Sequence, residues 1–143
     1  MASKYATVHH IVEKRFLAET PDSQRLMIDA EKVAKSGMNP MDLVLSAVGG
    51  CAAIDIVEMI KKRKLEIESY RIELEGERFD GTPAYFTHIH AKHIFNVPGL
   101  SEKMANRFVD LGMNKYCSVA SSLKADTSFE VVLEHDSSED SDD

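Results

Sequence analysis

The sequence predicts one α+β domain in which antiparallel sheets pack on a long buried helix. Three observations lead to this prediction. Short β-rich runs fill the first 30 residues, a long apolar helical stretch follows, and two sharply alternating runs come after it. Strands and helices do not alternate along the chain, and no glycine-rich strand-to-helix turn occurs, which argues against a dinucleotide-binding fold. A chain of 143 residues is long enough to bury one substantial core.

The first part of the chain predicts three strands. Residues 5–12 are rich in β-formers, residues 15–19 follow a charged turn, and residues 25–29 follow a turn signal at residues 20–23. Residues 31–37 have the composition of a loop.

The long helix has a clear predicted start. Asn39 can cap it, Pro40 suits the first helical position, and Asp42 lies in the first turn. We expect it to run to about Lys64, where a cluster of basic residues interacts favourably with the negative end of the helix dipole. Residues 43–53 are apolar nearly all round, so burial on most sides is expected. The apolar residues at helical spacing are Leu43, Ala47, Gly50, Ile54 and Val57.

The second half of the chain supplies the remaining elements. Residues 68–78 and 85–97 alternate as two long strands, and residues 100–111 form an amphipathic helix with Ser101 as its cap. Residues 112–114 interrupt this helix, residues 117–124 form a shorter one, and residues 128–133 form the last strand. The predicted order is therefore β-β-β-α-β-β-α-α-β.

The charge of the chain is concentrated at its end. The net charge is −7, but six of the 24 acidic residues lie in the last ten, and the other 18 balance 17 basic residues. We expect residues 1–135 to form the folded domain and residues 136–143 a disordered acidic tail. No basic patch with interleaved aromatics indicates nucleic-acid binding. Asp55 and Glu58 inside the apolar stretch argue against a membrane span.

The two cysteines, Cys51 and Cys117, stand 66 residues apart, each in a run of small residues. Structural disulfides belong to cysteine-dense secreted chains, and the first residues lack the pattern of a signal peptide, so a cytoplasmic protein with reduced thiols is expected. Cys117 opens a predicted helix, where backbone N–H groups stabilise a thiolate, whereas Cys51 lies mid-helix and needs a partner side chain. The pair is interpreted as a redox dithiol; the alternative for each is a small buried hydrophobe.

Three motifs carry a family resemblance. Residues 39–51, NPMDLVLSAVGGC, resemble the first-cysteine motif of the OsmC/Ohr superfamily in its YhfA-like branch. Residues 115–120, KYCSVA, resemble the second-cysteine motif of that branch, and residues 86–89, FTHI, match the strand between them. The likeness runs in motif order from Tyr5 to Leu133.

This resemblance implies an intertwined homodimer in which antiparallel sheets from both subunits wrap two long buried helices. It also implies reduction of organic hydroperoxides without a cofactor. Cys51 would attack the peroxide and become a sulfenic acid, and Cys117 would resolve it to a disulfide. A dithiol, such as a lipoylated protein, would then reduce the disulfide. A nearby thiol also protects a sulfenic acid from further oxidation.

One departure from the family pattern concerns the support of the thiolate. The peroxidase members place a glutamate ten residues before the first cysteine, where it orients an arginine; here that position is Met41. Asp42 is its neighbour but is turned by about 100 degrees, so its alternative role is support of the first helical turn. Arg15 and Arg25 are the candidate arginines, and both are equally compatible with surface positions on strands.

Asp55 and the histidines of one strand form two further candidate sites. Asp55 lies four residues after Cys51 on the same helix face, so it is a candidate proton acceptor, with capping or a cross-dimer ion pair as alternatives. His88 and His90 share one strand face while His93 lies on the other, and no acid or cysteine is evidently grouped with them. Since zinc sites need three or four converging ligands, no metal is expected.

Three functions follow from these observations. The first is a thiol-dependent hydroperoxide reductase that uses Cys51 and Cys117. The second is a thiol redox or stress protein with the same dithiol but another substrate, which Met41 favours. The third is a small-molecule-binding module in which the cysteines only line an apolar pocket.

Overall fold

The computed structural model describes residues 2–136 and contains two compact units, Met1–Val44 and Leu45–Asp143, each considered by itself. Residues 137–143, which make up nearly all of the predicted acidic tail, lie outside the described residues. The predicted order of strands and helices is confirmed, as is the α+β class.

The N-terminal unit is a three-stranded antiparallel sheet. It contains β1 (Thr7–Val12), β2 (Arg15–Glu19) and β3 (Arg25–Asp29), paired in the order β1-β2-β3. These bounds agree closely with the prediction, because turn residues separate the β-rich runs in the sequence. All six residues of β1 are exposed among the residues that the structure describes.

The long helix α1 spans Pro40–Lys62. Its predicted cap is confirmed, since Asn39 Oδ1 accepts the N–H of Asp42 at 2.9 Å. It ends two residues before the predicted Lys64, with Lys61 and Lys62 in its last turn.

The burial of α1 differs from the expectation. The helix buries one row, which consists of Val48, Gly49, Ala52, Ile56 and Ile60. The predicted stripe lies largely on another face: Ala47 and Gly50 are exposed, and Ile54 is 69% exposed. Because the sequence is apolar on both faces, helical spacing alone could not identify the one that packs inside this chain.

The C-terminal unit contains a second sheet with strands β4 (Ser69–Arg78), β5 (Phe86–Asn96) and β6 (Asp126–Leu133) in the order β4-β5-β6. The pair β4–β5 is antiparallel as predicted, whereas β6 pairs with β5 in parallel. Parallel neighbours need a long crossover. Here it consists of α2 (Glu102–Asp110), a π-helical segment (Leu111–Lys115) and α3 (Ser118–Ser121).

The core of this unit lies between α1, the inner face of the sheet and α2. Its buried members include Ala52, Ile56 and Ile60 of α1 and Ala91 and Phe95 of β5. From the crossover, Met104, Phe108, Val109 and Met113 are added. The predicted cap of α2 is confirmed, because Ser101 Oγ accepts the N–H of Met104 at 3.1 Å. The packing of α1 against this core holds the cysteine on that helix in a defined orientation.

By length and composition α1 is also apolar enough to cross a membrane. Core helices of globular proteins pass the same test, and the buried row of α1 packs into the core described above. The length of this helix is therefore weak evidence for a membrane span.

Candidate functional site

The structure brings Cys51 and Cys117 together in the C-terminal unit. Cys51 lies on α1 and is partly buried, whereas Cys117 is 1% exposed at the start of α3. The Cys51 side chain lies close enough to raise the pKa of the Cys117 thiol, and Cys117 Sγ lies 3.8 Å from the carbonyl oxygen of Val48, one turn before Cys51. One accessible thiol thus contacts one sheltered thiol.

The position of Cys117 at a helix start is confirmed, but its electrostatic effect is smaller than expected. Cys117 Sγ accepts the N–H of Ala120 at 3.3 Å, and its carbonyl oxygen accepts the N–H of Ser121 at 3.1 Å. Burial nevertheless raises the pKa of the Cys117 thiol; the Ala120 N–H opposes this shift and the Cys51 side chain adds to it. Cys117 therefore favours its protonated form, because burial disfavours the charged one.

A π-helical segment sets the position of Cys117. Sequence reasoning predicted only an interruption at residues 112–114; the chain instead forms one wide turn, closed by the N–H of Tyr116 to the carbonyl of Leu111 at 3.1 Å. Gly112 lies against α1 so closely that a Cβ there would be 2.8 Å from Ile56 Cγ1 and 3.2 Å from the carbonyl oxygen of Ala52. The missing side chain lets the segment approach α1 beside Cys51.

A buried histidine lies on the other side of this segment. His93 of β5 is completely buried, with Nδ1 2.7 Å from Tyr70 Oη and Nε2 3.2 Å from Met113 Sδ. Burial lowers the pKa of His93 to about 4, and the nearby His90 adds to this shift. Sequence reasoning placed His93 on a separate strand face but did not find its partners, which are 20 and 23 residues away.

A family model described as OsmC-like protein matches residues 33–132, which is well over half of the sequence.

The chain belongs to the OsmC-like family.

Individual relatives agree with this assignment. Protein YhfA of Escherichia coli strain K12 is 36% identical over 105 residues, which cover 73% of this chain and 78% of YhfA. An OsmC-like protein of unknown function from Vibrio cholerae shares the fold with a TM-score of 0.78 at 14% identity, covering 92% of this chain and 100% of its own. An organic hydroperoxide resistance protein OsmC from Legionella pneumophila has a TM-score of 0.67 at 16% identity. The match covers 92% of this chain and 98% of the Legionella protein. The resemblance stated from the motifs is thereby confirmed at the level of the family.

The two candidate arginines already have partners in the N-terminal unit of this OsmC-like chain. Arg15 Nε lies 3.0 Å from Oδ2 of the fully buried Asp29, and Arg15 Nη2 donates to the carbonyl of Ala34 at 2.8 Å. Backbone N–H groups of Ser36 and Glu31, together with Arg15, hold the pKa of Asp29 below its usual value against the opposing effect of burial. Arg25 pairs with Glu19 at 3.0 Å on the exposed side of the sheet.

The carboxylates named from the sequence lie on α1. Asp42 lies in the first helical turn, where its N–H binds Asn39, which agrees with a role in supporting that turn. Asp55 is partly buried one turn after Cys51. The family position of the glutamate is occupied by Met41, the second residue of the helix. The sequence named six candidate site residues. The contacts described above bring two of them together, the two cysteines.

The histidines of the outer sheet face bind one serine. His88 Nε2 and His90 Nδ1 lie 2.8 and 2.7 Å from Ser128 Oγ, and His90 Nε2 lies 3.4 Å from Glu130 Oε2. Among residues 2–136, no group of three or more histidine, cysteine, aspartate or glutamate side chains is arranged to hold a metal ion.

Two open grooves flank α1. One is lined by residues of α1 alone, including Ile54, Val57 and Lys61, and the other by Gly49 and Gly50 of α1 with residues of β4. Neither cysteine is among the residues that line these two grooves. The arrangement of the thiols is therefore better suited to reaction with each other than to lining either groove.

Proposed function

We propose that this OsmC-like protein is a thiol-dependent reductase of organic hydroperoxides, and that Cys51 and Cys117 form its dithiol–disulfide pair. The observation that carries this proposal is the contact between a partly exposed cysteine and a buried one. A peroxide can reach the exposed thiol, and the buried thiol is at hand to capture the oxidised product before a second peroxide arrives.

The proposed cycle has three balanced steps. The Cys51 thiol loses its proton, the thiolate attacks one oxygen of the hydroperoxide, and the O–O bond breaks. This gives a Cys51 sulfenic acid and an alkoxide, which takes up the released proton to become the alcohol. Cys117 then condenses with the sulfenic acid, giving a disulfide and one water. A dithiol reductant reduces the disulfide by thiol–disulfide exchange and is itself oxidised. In this second step Cys117 gives up its proton and attacks as the thiolate, and the proton leaves with the sulfenic oxygen as water.

The proposal includes the setting of this cycle. The protein acts as a homodimer in the cytoplasm, where thiols are kept reduced. The reductant is a soluble dithiol, such as a lipoylated protein, and no cofactor takes part. The faces of β1 and α1 that stay exposed within residues 2–136 support a second copy as the partner.

Two observations favour a second candidate, a thiol redox protein with another oxidant. Met41 cannot orient an arginine as a glutamate does, and Arg15 is already engaged by Asp29 and by backbone carbonyls. Without an arginine oriented in this way, Cys51 has less to stabilise its thiolate. This candidate keeps the dithiol but reacts slowly with hydroperoxides.

Steady-state turnover tests the proposal. Purified protein is mixed with an alkyl hydroperoxide and a dithiol reductant, and loss of peroxide is followed for the wild type, Cys51→Ser and Cys117→Ser. The expected result is multiple turnover for the wild type, none for Cys51→Ser, and rapid inactivation of Cys117→Ser by overoxidation. A wild-type rate no faster than that of free cysteine contradicts the peroxidase and leaves the second candidate.

A further inference from the structure

A line of three side chains connects the β4-β5-β6 sheet to the π-helical segment that precedes Cys117. Tyr70 of β4 contacts His93 of β5 at 2.7 Å, and His93 contacts Met113 of the π-helical segment at 3.2 Å. His93 is completely buried and Met113 is 4% exposed, so the contact between them lies in the core, against which the partly buried Tyr70 packs. The Tyr70 ring stacks on Phe95 with 4.4 Å between the centroids, which fixes the plane of the phenol.

The chemistry of these groups sets the direction of each hydrogen bond. A methionine sulfur can only accept, so His93 Nε2 must carry the hydrogen. A neutral imidazole has one N–H, so Nδ1 is an acceptor and the Tyr70 hydroxyl donates to it. Burial keeps both groups uncharged, since it lowers the pKa of His93 and raises the pKa of Tyr70.

The π-helical segment is therefore held from two sides at consecutive residues. Gly112 lies against Ile56 and the carbonyl of Ala52 on α1, directly after Cys51, and Met113 accepts the His93 N–H from the sheet. A buried N–H that loses its acceptor is costly, so the Met113 sulfur is confined to one place. Cys117 follows Met113 by four residues, so the position of the segment also determines the position of Cys117.

We propose that His93 is a positioning residue for Cys117: its Nε2–H holds the Met113 sulfur and thereby sets how Cys117 meets Cys51, while Tyr70 holds His93 in the required tautomer. This inference rests on the proposed function, because it gives these residues a part in disulfide formation. The assisted step is the condensation of Cys117–SH with Cys51–SOH to a disulfide and water. The same geometry governs disulfide formation with any other oxidant.

Redox equilibrium with mixtures of reduced and oxidised glutathione tests this proposal, because it measures how well the two thiols are placed and needs no peroxide. The equilibrium constant for the Cys51–Cys117 disulfide is measured in the wild type, Met113→Leu, Tyr70→Phe and the double variant. Met113→Leu conserves volume but removes the acceptor, and we expect it to lower the constant about threefold. Tyr70→Phe is expected to act in the same direction.

The double variant separates positioning from simple packing. If Tyr70 acts through His93 on Met113, the double variant equals Met113→Leu alone, whereas independent effects multiply. Met104→Leu is the matched control, because Met104 is equally buried in the same core on α2 and undergoes the same substitution. Its equilibrium constant is expected to equal that of the wild type.

The proposal is overturned if Met113→Leu keeps the wild-type constant, if Met104→Leu lowers it equally, or if the two variants multiply. Failure of the proposed function gives a different pattern. In that case the wild type forms the disulfide in glutathione mixtures but not with hydroperoxide, and the comparison among the variants remains valid.

Discussion

At the scale of single residues, the two cysteines differ in burial, which supports the two different roles proposed for them. Cys51 is partly buried, whereas Cys117 is fully buried and burial raises the pKa of its thiol, so the protonated form of Cys117 is favoured. His93 is the second residue whose charge state the core determines. Its two nitrogen atoms are both engaged, which leaves no place for an added proton.

The first prediction concerns the pH dependence of stability that His93 produces. Its pKa is about 4 when folded, against 6.5 for an ordinary histidine. Between these values the unfolded chain binds a proton that the folded chain does not, so stability is complete above pH 6.5 and falls as the pH drops. From pH 7 to pH 5 we expect a loss of roughly 2 kcal/mol in the free energy of unfolding from this residue.

Urea unfolding at fixed protein concentration measures this loss, with His93→Gln as the control that cannot titrate. All other residues are the same in both proteins, so the difference between the two curves isolates His93. Parallel curves between pH 7 and pH 5 would show that His93 does not resist protonation.

At the scale of elements, the π-helical segment is the part of the fold most closely tied to the site. It packs on α1 at Gly112, bonds to the sheet at Met113, and ends one residue before Tyr116, which precedes Cys117. Wide turns of this kind occur often at functional sites. Because this turn holds one residue more than an α-helical turn, the successive residues Gly112 and Met113 contact two different parts of the fold, α1 and the sheet.

The second prediction is that Gly112→Ala destabilises the fold. A Cβ at residue 112 would meet Ile56 Cγ1 at 2.8 Å and the Ala52 carbonyl oxygen at 3.2 Å, and neither atom is the free end of a flexible chain. We expect a loss of about 1 to 3 kcal/mol in the free energy of unfolding. Replacing glycine by alanine otherwise stabilises by restricting the unfolded chain, so an unchanged or raised unfolding midpoint would show that the contact is loose.

The helices and strands were predictable where neighbouring residues in the sequence determine the local structure. Asn39 and Ser101 act as helix caps as predicted, and the alternating runs of β4 and β5 pair as expected. The parallel pairing of β6 was not predictable, because it depends on how the crossover packs. The same holds for the buried face of α1, where both faces are apolar.

The site was predictable only in part. Both cysteines are recognisable from their flanking motifs, and the contact between them agrees with the dithiol interpretation. The line from Tyr70 to His93 to Met113 joins residues distant in sequence, so no local pattern indicates it. The signal in the sequence was the phase of His93 on its strand, which placed it on the face opposite His88 and His90 without showing which face is buried.

At the scale of the whole molecule, surfaces that the chain leaves uncovered support the proposed homodimer. Ile54 is 69% exposed in the middle of the long helix, and Ala47 and Gly50 beside it are also exposed. All of β1 is exposed as well. A second copy would bury these surfaces, and apolar burial is the main driving force for association.

The third prediction is that Ile54→Glu weakens this dimer. Glutamate is a good helix former, so α1 should persist, but a charge would be buried in the interface. Multi-angle light scattering after gel filtration is expected to report a dimer for the wild type and a monomer for the variant. Val33→Glu is the control, because Val33 is 79% exposed in the loop between β3 and α1. A wild-type monomer, or an Ile54→Glu dimer as stable as the wild type, contradicts the proposed assembly.

The central claim is that Cys51 reduces a hydroperoxide and Cys117 resolves the product, and intact-protein mass after one equivalent of an alkyl hydroperoxide tests it most directly. The account predicts a loss of two hydrogens for the wild type, no change for Cys51→Ser, and added oxygen at Cys51 in Cys117→Ser. A wild-type mass that stays constant, or one that gains oxygen without forming the disulfide, would contradict it.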